Sequence, residues 1–435
     1  MRFTGMGLTV AFALALAPNA AAADDVQDTL KQMQERLSAV EDQLEASNAR
    51  VAEQEKVIQE AGLAAPAVGS GNKLTSWINT LEFDGWVSAS YWYNFNDVDN
   101  DVLVNGNKGV FGQSNPFNPD ANQFSFDQLW FSFGKPVSED SRAGFWADIV
   151  YGKTAGLLPF GNASEGGNSL YLGNAYIQYL TPFGPTVKFG KFATLLGAEV
   201  AQAPLNWNIS RGLVYNILEP IDHTGILVTS PIGETGFDYG FGVVNDVFKS
   251  QSTSSNGKAY LLRGGYTGDG WSLGMNTIYG ATSSSLGPPG DEEARRGVVN
   301  LLFKMDPTES FSWYLNYDYS WNDGDYDGLG ISGGDAHGVS VAGRYAITER
   351  MGAALRVEYV TAEDGFLLSR EVELWGITGT VDYALTEQLT VKAELRWDQG
   401  QIDRMPDDLY LSNHSGIVFD EDDQAVIGVE AIYRF

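Results

Sequence analysis

The chain closes on AVIGVEAIYRF, residues 425–435, and this stretch restricts the fold more than any other. Ala425, Ile427, Val429, Ala431, Tyr433 and Phe435 fall on one face of an extended strand. Val426, Gly428, Glu430, Ile432 and Arg434 fall on the other. Side chains alternate across a β-strand, so one face is apolar and the other tolerates charge. A strand of a membrane-spanning barrel has this pattern, with lipid outside and a polar lumen inside. The terminal Phe435 is also the kind of ending that the outer-membrane insertion machinery reads.

The same alternation recurs upstream. In SFSWYLNYDYSW, Phe311, Trp313, Leu315, Tyr317, Tyr319 and Trp321 share a face, opposite Ser312, Tyr314, Asn316, Asp318 and Ser320. In LTVKAELRWD, Leu389, Val391, Ala393, Leu395 and Trp397 oppose Thr390, Lys392, Glu394, Arg396 and Asp398. From residue 81 to 435 the sequence divides into about sixteen such segments of ~9–14 residues, long enough to cross a bilayer when tilted. Their connections alternate: long at 96–121, 154–168 and 195–222, tight at PFG, GDG and TEQ. Long loops on one side, short turns on the other and an even strand number define an outer-membrane barrel. The expected fold is therefore all-β: an antiparallel transmembrane barrel of about 16 strands behind an N-terminal α-helical coiled coil.

Residues 1–23 read as a signal peptide. Arg2 gives a positive start, Leu8 to Ala17 an apolar run, and Pro18 to Ala23 a small-residue cleavage region. Residues 24–60 carry Leu30, Leu37, Leu44, Val51 and Ile58 seven apart, with Val26, Met33 and Val40 on a second seam. That spacing predicts a coiled-coil helix, placed in the periplasm by the barrel topology. At ~1.5 Å per residue it extends roughly 50 Å, far enough to approach peptidoglycan. GLAAPAVGSGN then forms part of a linker over 61–80.

A net charge of -29 excludes nucleic acid as a partner, because that footprint must be basic. With no cysteine there is no thiolate chemistry and no Cys-held metal. The acidic runs NDVDND, NDGDYDG and DEDD read as solvated loops, with divalent cations at lipopolysaccharide as the sharper alternative. No cofactor and no metal are expected, and lipid of the outer membrane is the expected surrounding.

A barrel this wide leaves an aqueous channel unless something fills it. Strand parity sends Lys188, Arg263, Lys304, Arg344, Arg356, Lys392 and Arg396 into the lumen wall, with the acids Asp148, Asp318, Glu358, Glu394 and Asp398. Such a wall either sets up a transverse field that orients polar solutes or pairs its charges locally. The third long connection, LLGAEVAQAPLNWNISRGLVYNILEPID, is apolar rather than acidic. It is expected to fold inward and narrow the pore with Glu199, Asn206, Asn208, Arg211, Glu219 and Asp222, plus His223 beyond it. The alternative is packing against neighbouring protomers or loops.

Around this connection the sequence resembles the OmpL-like β-barrel porin family. The likeness runs through VKFGKFATLLGAEV, APLNWNISRG, EPIDHTGILVTSPIG and VNDV, with Gly190, Lys191, Phe192, Gly197, Glu199, Asn206, Ser210, Pro220, His223 and Gly225 in the family pattern. Asp222 departs from the aromatic or Thr residue the family carries there. The resemblance implies an outer-membrane channel whose solute is unassigned. The coiled-coil preface is similar to the periplasmic stalks of trimeric porins.

The expected function is passive diffusion of small hydrophilic solutes through a homotrimer of barrels, not an enzyme. Two other classes stand beside it. One is a tether or adhesin linking outer membrane and periplasm. The other is a hydrolase built on Asn413, His414 and Ser415, whose adjacency in sequence does not supply triad geometry.

Overall fold

The computed structural model describes residues 78–95, 122–158, 169–248, 257–282, 295–323, 333–363, 371–402 and 423–435, together with residues 31, 103–104, 107–108 and 366. The expected signal peptide (1–23), most of the coiled coil (24–60) and most of the linker (61–80) lie outside the described residues. So does the Asn413–His414–Ser415 trio. The chain divides into a unit of Met1–Asn79 and a unit of Thr80–Phe435.

The second unit is a closed antiparallel barrel. Its strands are β1 (Glu82–Asn94), β2 (Gln123–Lys135), β3 (Ala143–Gly152), β4 (Ser169–Leu180), β5 (Thr186–Ala193), β6 (Asp222–Pro231), β7 (Phe237–Val244) and β8 (Ala259–Gly268). They continue as β9 (Trp271–Ala281), β10 (Arg295–Thr308), β11 (Phe311–Asp323), β12 (Asp335–Ala346), β13 (Met351–Ala362), β14 (Val372–Ala384), β15 (Leu389–Ile402) and β16 (Asp423–Arg434). Each strand pairs with its sequence neighbours, and β1 closes on β16 from Trp86↔Arg434 to Asn94↔Val426. The last residue joins this seam, since Phe435 N–H donates to the Gly85 carbonyl at 2.9 Å and Gly85 N–H donates back at 3.2 Å. Two short helices, α1 (Lys153–Leu157) and α2 (Leu213–Leu218), sit in long connections. Strand β6 starts at Asp222, so Asp222 belongs to the wall rather than to the connection that sequence places it in.

The outer surface follows the alternation. Leu395, Ile427, Val429 and Tyr433 are exposed, while Lys392, Glu394, Arg396 and Glu430 between them are buried in the interior. Aromatic rings gather at both ends of the strands. Phe237, Tyr266, Trp271, Phe303 and Trp313 contact one another in series near the short turns. Near the long loops, Tyr279, Trp321, Tyr319 and His337 do the same. Two rings of amphipathic aromatics bracketing an aliphatic band are what a barrel places at the two lipid–water boundaries.

The interior holds a feature the alternation does not reveal. Towards the long-loop end, inward positions are apolar and buried: Trp92, Leu227, Val244, Leu261, Ile278, Val298, Ala336, Val360, Leu374 and Val426. Apolar groups do not persist against water-filled space when chain can cover them. Much of what covers them is the connection between β5 and β6.

Candidate functional site

Residues 194–221, the crossing segment, leave β5 and return at β6 with Thr194 N–H donating to the Ile221 carbonyl at 3.0 Å. Between these ends the segment reaches inward-facing side chains on nearly every side of the barrel. The α2 residues Leu213, Val214, Ile217 and Leu218 pack on Ala336, Val360, Ala362 and Leu374 of β12–β14. Ala201, Ala203 and Tyr215 pack with Trp86, Trp130 and Ile432 of β1, β2 and β16. Leu196 lies with Leu227, Val244, Leu261, Ile278 and Val298 of β6–β10.

The segment has little regular secondary structure, so its backbone polar groups need other partners. Asn206 supplies some internally: its amide oxygen accepts from Val200 N–H at 3.0 Å, and its nitrogen donates to the Val200 and Gln202 carbonyls at 2.8 and 2.7 Å. Arg211 supplies more, donating to the carbonyls of Val200, Ile209 and Ala201 at 3.0, 2.7 and 2.5 Å. Both side chains are spent on shaping the chain around them.

The remaining partners come from the wall. Glu394 on β15 accepts from Ile209 and Ser210 N–H at 2.6 and 3.1 Å. Glu358 on β13 accepts from Leu213 and Val214 N–H at 3.1 and 3.4 Å. Those two N–H groups open α2 and carry the positive end of its dipole, so an anion is favoured there. Lys392 donates to the Ala203 and Asn206 carbonyls at 3.3 and 2.7 Å, and Arg396 to the Arg211 carbonyl at 2.7 Å. Asn208 donates to Thr380 at 2.7 Å. On the other side, Gln128 of β2 donates to the Ala201 carbonyl at 2.8 Å and accepts from Ala203 N–H at 3.2 Å.

One cation is shared by two acids at the centre of this contact. Arg356, fully buried on β13, meets Glu199 of the segment at 2.5 Å and Glu358 at 2.8 Å. It also donates to the Ser210 carbonyl at 2.8 Å and hydroxyl at 3.2 Å. Glu199 accepts in addition from Gly212 N–H at 2.6 Å. Burying these charges is costly unless each is paired and hydrogen-bonded, and here each one is. Two glycines make the approach feasible. A Cβ on Gly212 would sit 2.1 Å from a Glu358 carboxylate oxygen, and one on Gly197, at φ +86°, would sit 1.9 Å from Glu219.

Glu219 is placed differently from the other acids. The Asn316 side-chain nitrogen donates to Glu219 at 2.7 Å and to Asp318 at 2.9 Å, so two carboxyl groups converge on one amide. Burial, and then the Asp318 carboxylate, hold the Glu219 carboxyl well above the usual carboxylate range. Burial likewise pushes the Tyr215 phenol up.

The sequence-derived residues thus divide. Glu199, Asn206, Asn208, Arg211 and Glu219 sit in the crossing segment, bonded to its own backbone or to the wall. Asp222 pairs with Lys191 at 3.4 Å and accepts from the Tyr171 hydroxyl, while buried His223 meets the Thr194 hydroxyl at 3.1 Å. Among the wall residues, Arg356, Glu358, Lys392, Glu394 and Arg396 touch the segment, and Asp398 pairs with Arg396 at 2.7 Å. Arg263 and Arg344 pair with Asp238 and Asp382 at 2.5 and 2.7 Å. Lys188 lies over the Tyr176 ring, 4.6 Å from its centroid, and Lys304 borders a cavity. The wall arginines thus pair with nearby acids, whereas Lys188 and Lys304 have no salt bridge among the described residues. Gln128, Thr378, Thr380 and Asn316 take part without having been singled out in the sequence. Their inward parity on β2, β14 and β11 is the signal that would have found them.

Residues 80–435, the whole barrel, match the family described as Putative beta-barrel porin-2, OmpL-like. The chain belongs to this family. Among solved structures it is similar to the outer membrane channel DcaP of Acinetobacter baumannii, at 15% identity and a TM-score of 0.53, covering 82% of this chain and 97% of that one. It is similar to an anion-selective porin from Comamonas acidovorans at 14% identity and a TM-score of 0.53, over 82% and 99% of the two chains. A trimer form of OmpT from Vibrio cholerae aligns at 14% identity and a TM-score of 0.52, over 82% and 99%. At such identities the likeness is one of fold. No match to the chain is found among curated proteins. Family membership, closed barrel and paired aromatic girdles together make this OmpL-like protein a porin of the bacterial outer membrane.

Proposed function

We propose that this porin passes small hydrophilic solutes by passive diffusion, through a lumen narrowed by the crossing segment. The observation that carries the reading is the set of backbone groups in 203–214 held by inward charged side chains of β13 and β15. A loop meant for solvent has no need of buried carboxylates on its amides. A segment that must keep one shape inside a wet lumen does. On this reading Glu199, Asn206, Asn208, Arg211, Glu219, Asp222 and His223 fix the form of the constriction, and the solute meets what remains open beside it.

The assembly proposed is a homotrimer, supported by the likeness to a barrel described in a trimer form. The N-terminal 1–23 would be removed on export, leaving the 24–60 helix in the periplasm to clamp the trimer or approach peptidoglycan. Liposome swelling with neutral solutes of graded size tests the channel. Permeation that falls steeply with size is expected, and impermeability to every solute, with the barrel folded, would contradict the proposal.

A further inference from the structure

A cavity of about 160 Å³ opens between the crossing segment and the short-turn half of β10 and β11. At ~30 Å³ per liquid water it holds a few waters or one small ring. One wall is aromatic: Trp207 stacks on Tyr314, with ring centroids 5.4 Å apart and planes at 29°. Tyr314 is buried, whereas Trp207 is half-buried and lines the cavity.

Lys304 and Asp306 of β10 and Ser312 of β11 line the same cavity. Lys304 and Asp306 are exposed and act on each other electrostatically, and among the described residues no hydrogen bond or close ion pair ties up either of their side chains or the Ser312 hydroxyl. The contrast with the rest of the lumen is sharp, since Arg263 and Arg344 are closed off by Asp238 and Asp382. The cavity's other carboxylate, Glu199, is already held by Arg356. What stays open is a donor cation, an acceptor anion and a hydroxyl beside an aromatic face.

This set selects against solutes of net charge, because a monoanion faces Asp306 and a monocation faces Lys304. It suits a neutral ring that presents a flat C–H face to the indole and a rim of hydroxyl groups, each both donor and acceptor, to the polar side chains. We propose that the cavity is a monosaccharide subsite in which a pyranose stacks on Trp207. The inference rests on the reading of the barrel as a solute channel and names the class of solute it retains in passing.

Glucose, with its open-chain counterpart sorbitol as control, tests this on the full-length protein in detergent micelles by saturation-transfer difference NMR. Glucose binds saturably with transfer strongest on one ring face, and sorbitol does not. Trp207→Ala weakens glucose binding roughly tenfold, Trp207→Phe keeps most of it, and Lys304→Met, on the wall and outside the stack, weakens it several-fold. Equal transfer to glucose and sorbitol, or wild-type affinity in Trp207→Ala, overturns the subsite. Ion current in planar bilayers, measured on the same preparation, separates the two readings. Current without glucose saturation removes the subsite and keeps the channel, whereas glucose binding without current keeps the subsite and removes the channel.

Discussion

Arg356 on the barrel wall and Ser210 in the crossing segment lie 146 positions apart, yet the guanidinium holds both the Ser210 carbonyl and its hydroxyl, at 2.8 and 3.2 Å. The same guanidinium pairs with both Glu199 and Glu358, so one buried cation ties the segment's backbone, its acid and the acid that caps α2. Removing it strands two carboxylates without their counter-charge. Breaking a buried pair from one side costs about 3–5 kcal/mol.

Arg356→Ala is therefore expected to release the segment while leaving the barrel closed. Its single-channel conductance should rise and its current become noisier, and Arg356→Lys, which keeps charge but not the planar fork, should fall between. Wild-type conductance in Arg356→Ala, with the barrel folded, would show that this contact does not hold the constriction.

Glu394 accepts two neighbouring amides, Ile209 and Ser210. In Glu394→Ala both buried donors lose their acceptor, at roughly 1–3 kcal/mol each. Hydrogen exchange at these two amides should then speed up by one or more orders of magnitude, with exchange in β15 itself little changed. Slow exchange at both amides in the variant would mean that another group satisfies them.

The Glu219 carboxyl titrates higher in the folded protein than in an unfolded chain, because burial and then Asp318 disfavour its charge. Such a group contributes its full share of stability below the unfolded value, about 4.3, and that share is lost as pH rises through the folded value. Docking of the segment should weaken as pH climbs from that point. Glu219→Gln keeps an acceptor for Asn316 and cannot ionise, so it should flatten the pH profile of thermal unfolding in micelles. An undiminished slope in Glu219→Gln would place the titration elsewhere.

Leu395 and Arg396 are adjacent in sequence and point to opposite sides of the wall. An Arg at Leu395 should cost about 2–4 kcal/mol if that position meets the bilayer interior. Refolding equilibria in lipid measure it. A cost near zero would mean the outer face does not meet acyl chains.

Much of this fold was legible because a strand's period of two is read directly from residues such as Leu395 and Arg396, and loop lengths then give the topology. The crossing segment was legible by composition, as an apolar connection among acidic ones. The contacts that hold it were not. Glu358 and Glu394 read as lumen lining, and nothing local marks them as acceptors for amides 145 and 185 positions away. That pairing depends on how the barrel closes. The buried inward set, such as Ile278 and Val298, was missed for the same reason: alternation tells which face a residue takes, not what covers that face. Asp222 ends the connection by sequence but opens β6 in the structure, in backbone register with Ala193 and paired through its side chain with Lys191.

The most direct test compares single-channel conductance, in planar bilayers at fixed salt, of the intact porin and a variant in which residues 195–221 are replaced by a short Gly-Ser link. If the segment narrows the lumen, the variant conducts several-fold more per channel and loses discrimination between small and large ions. Equal conductance and equal ion preference in the two would contradict the account.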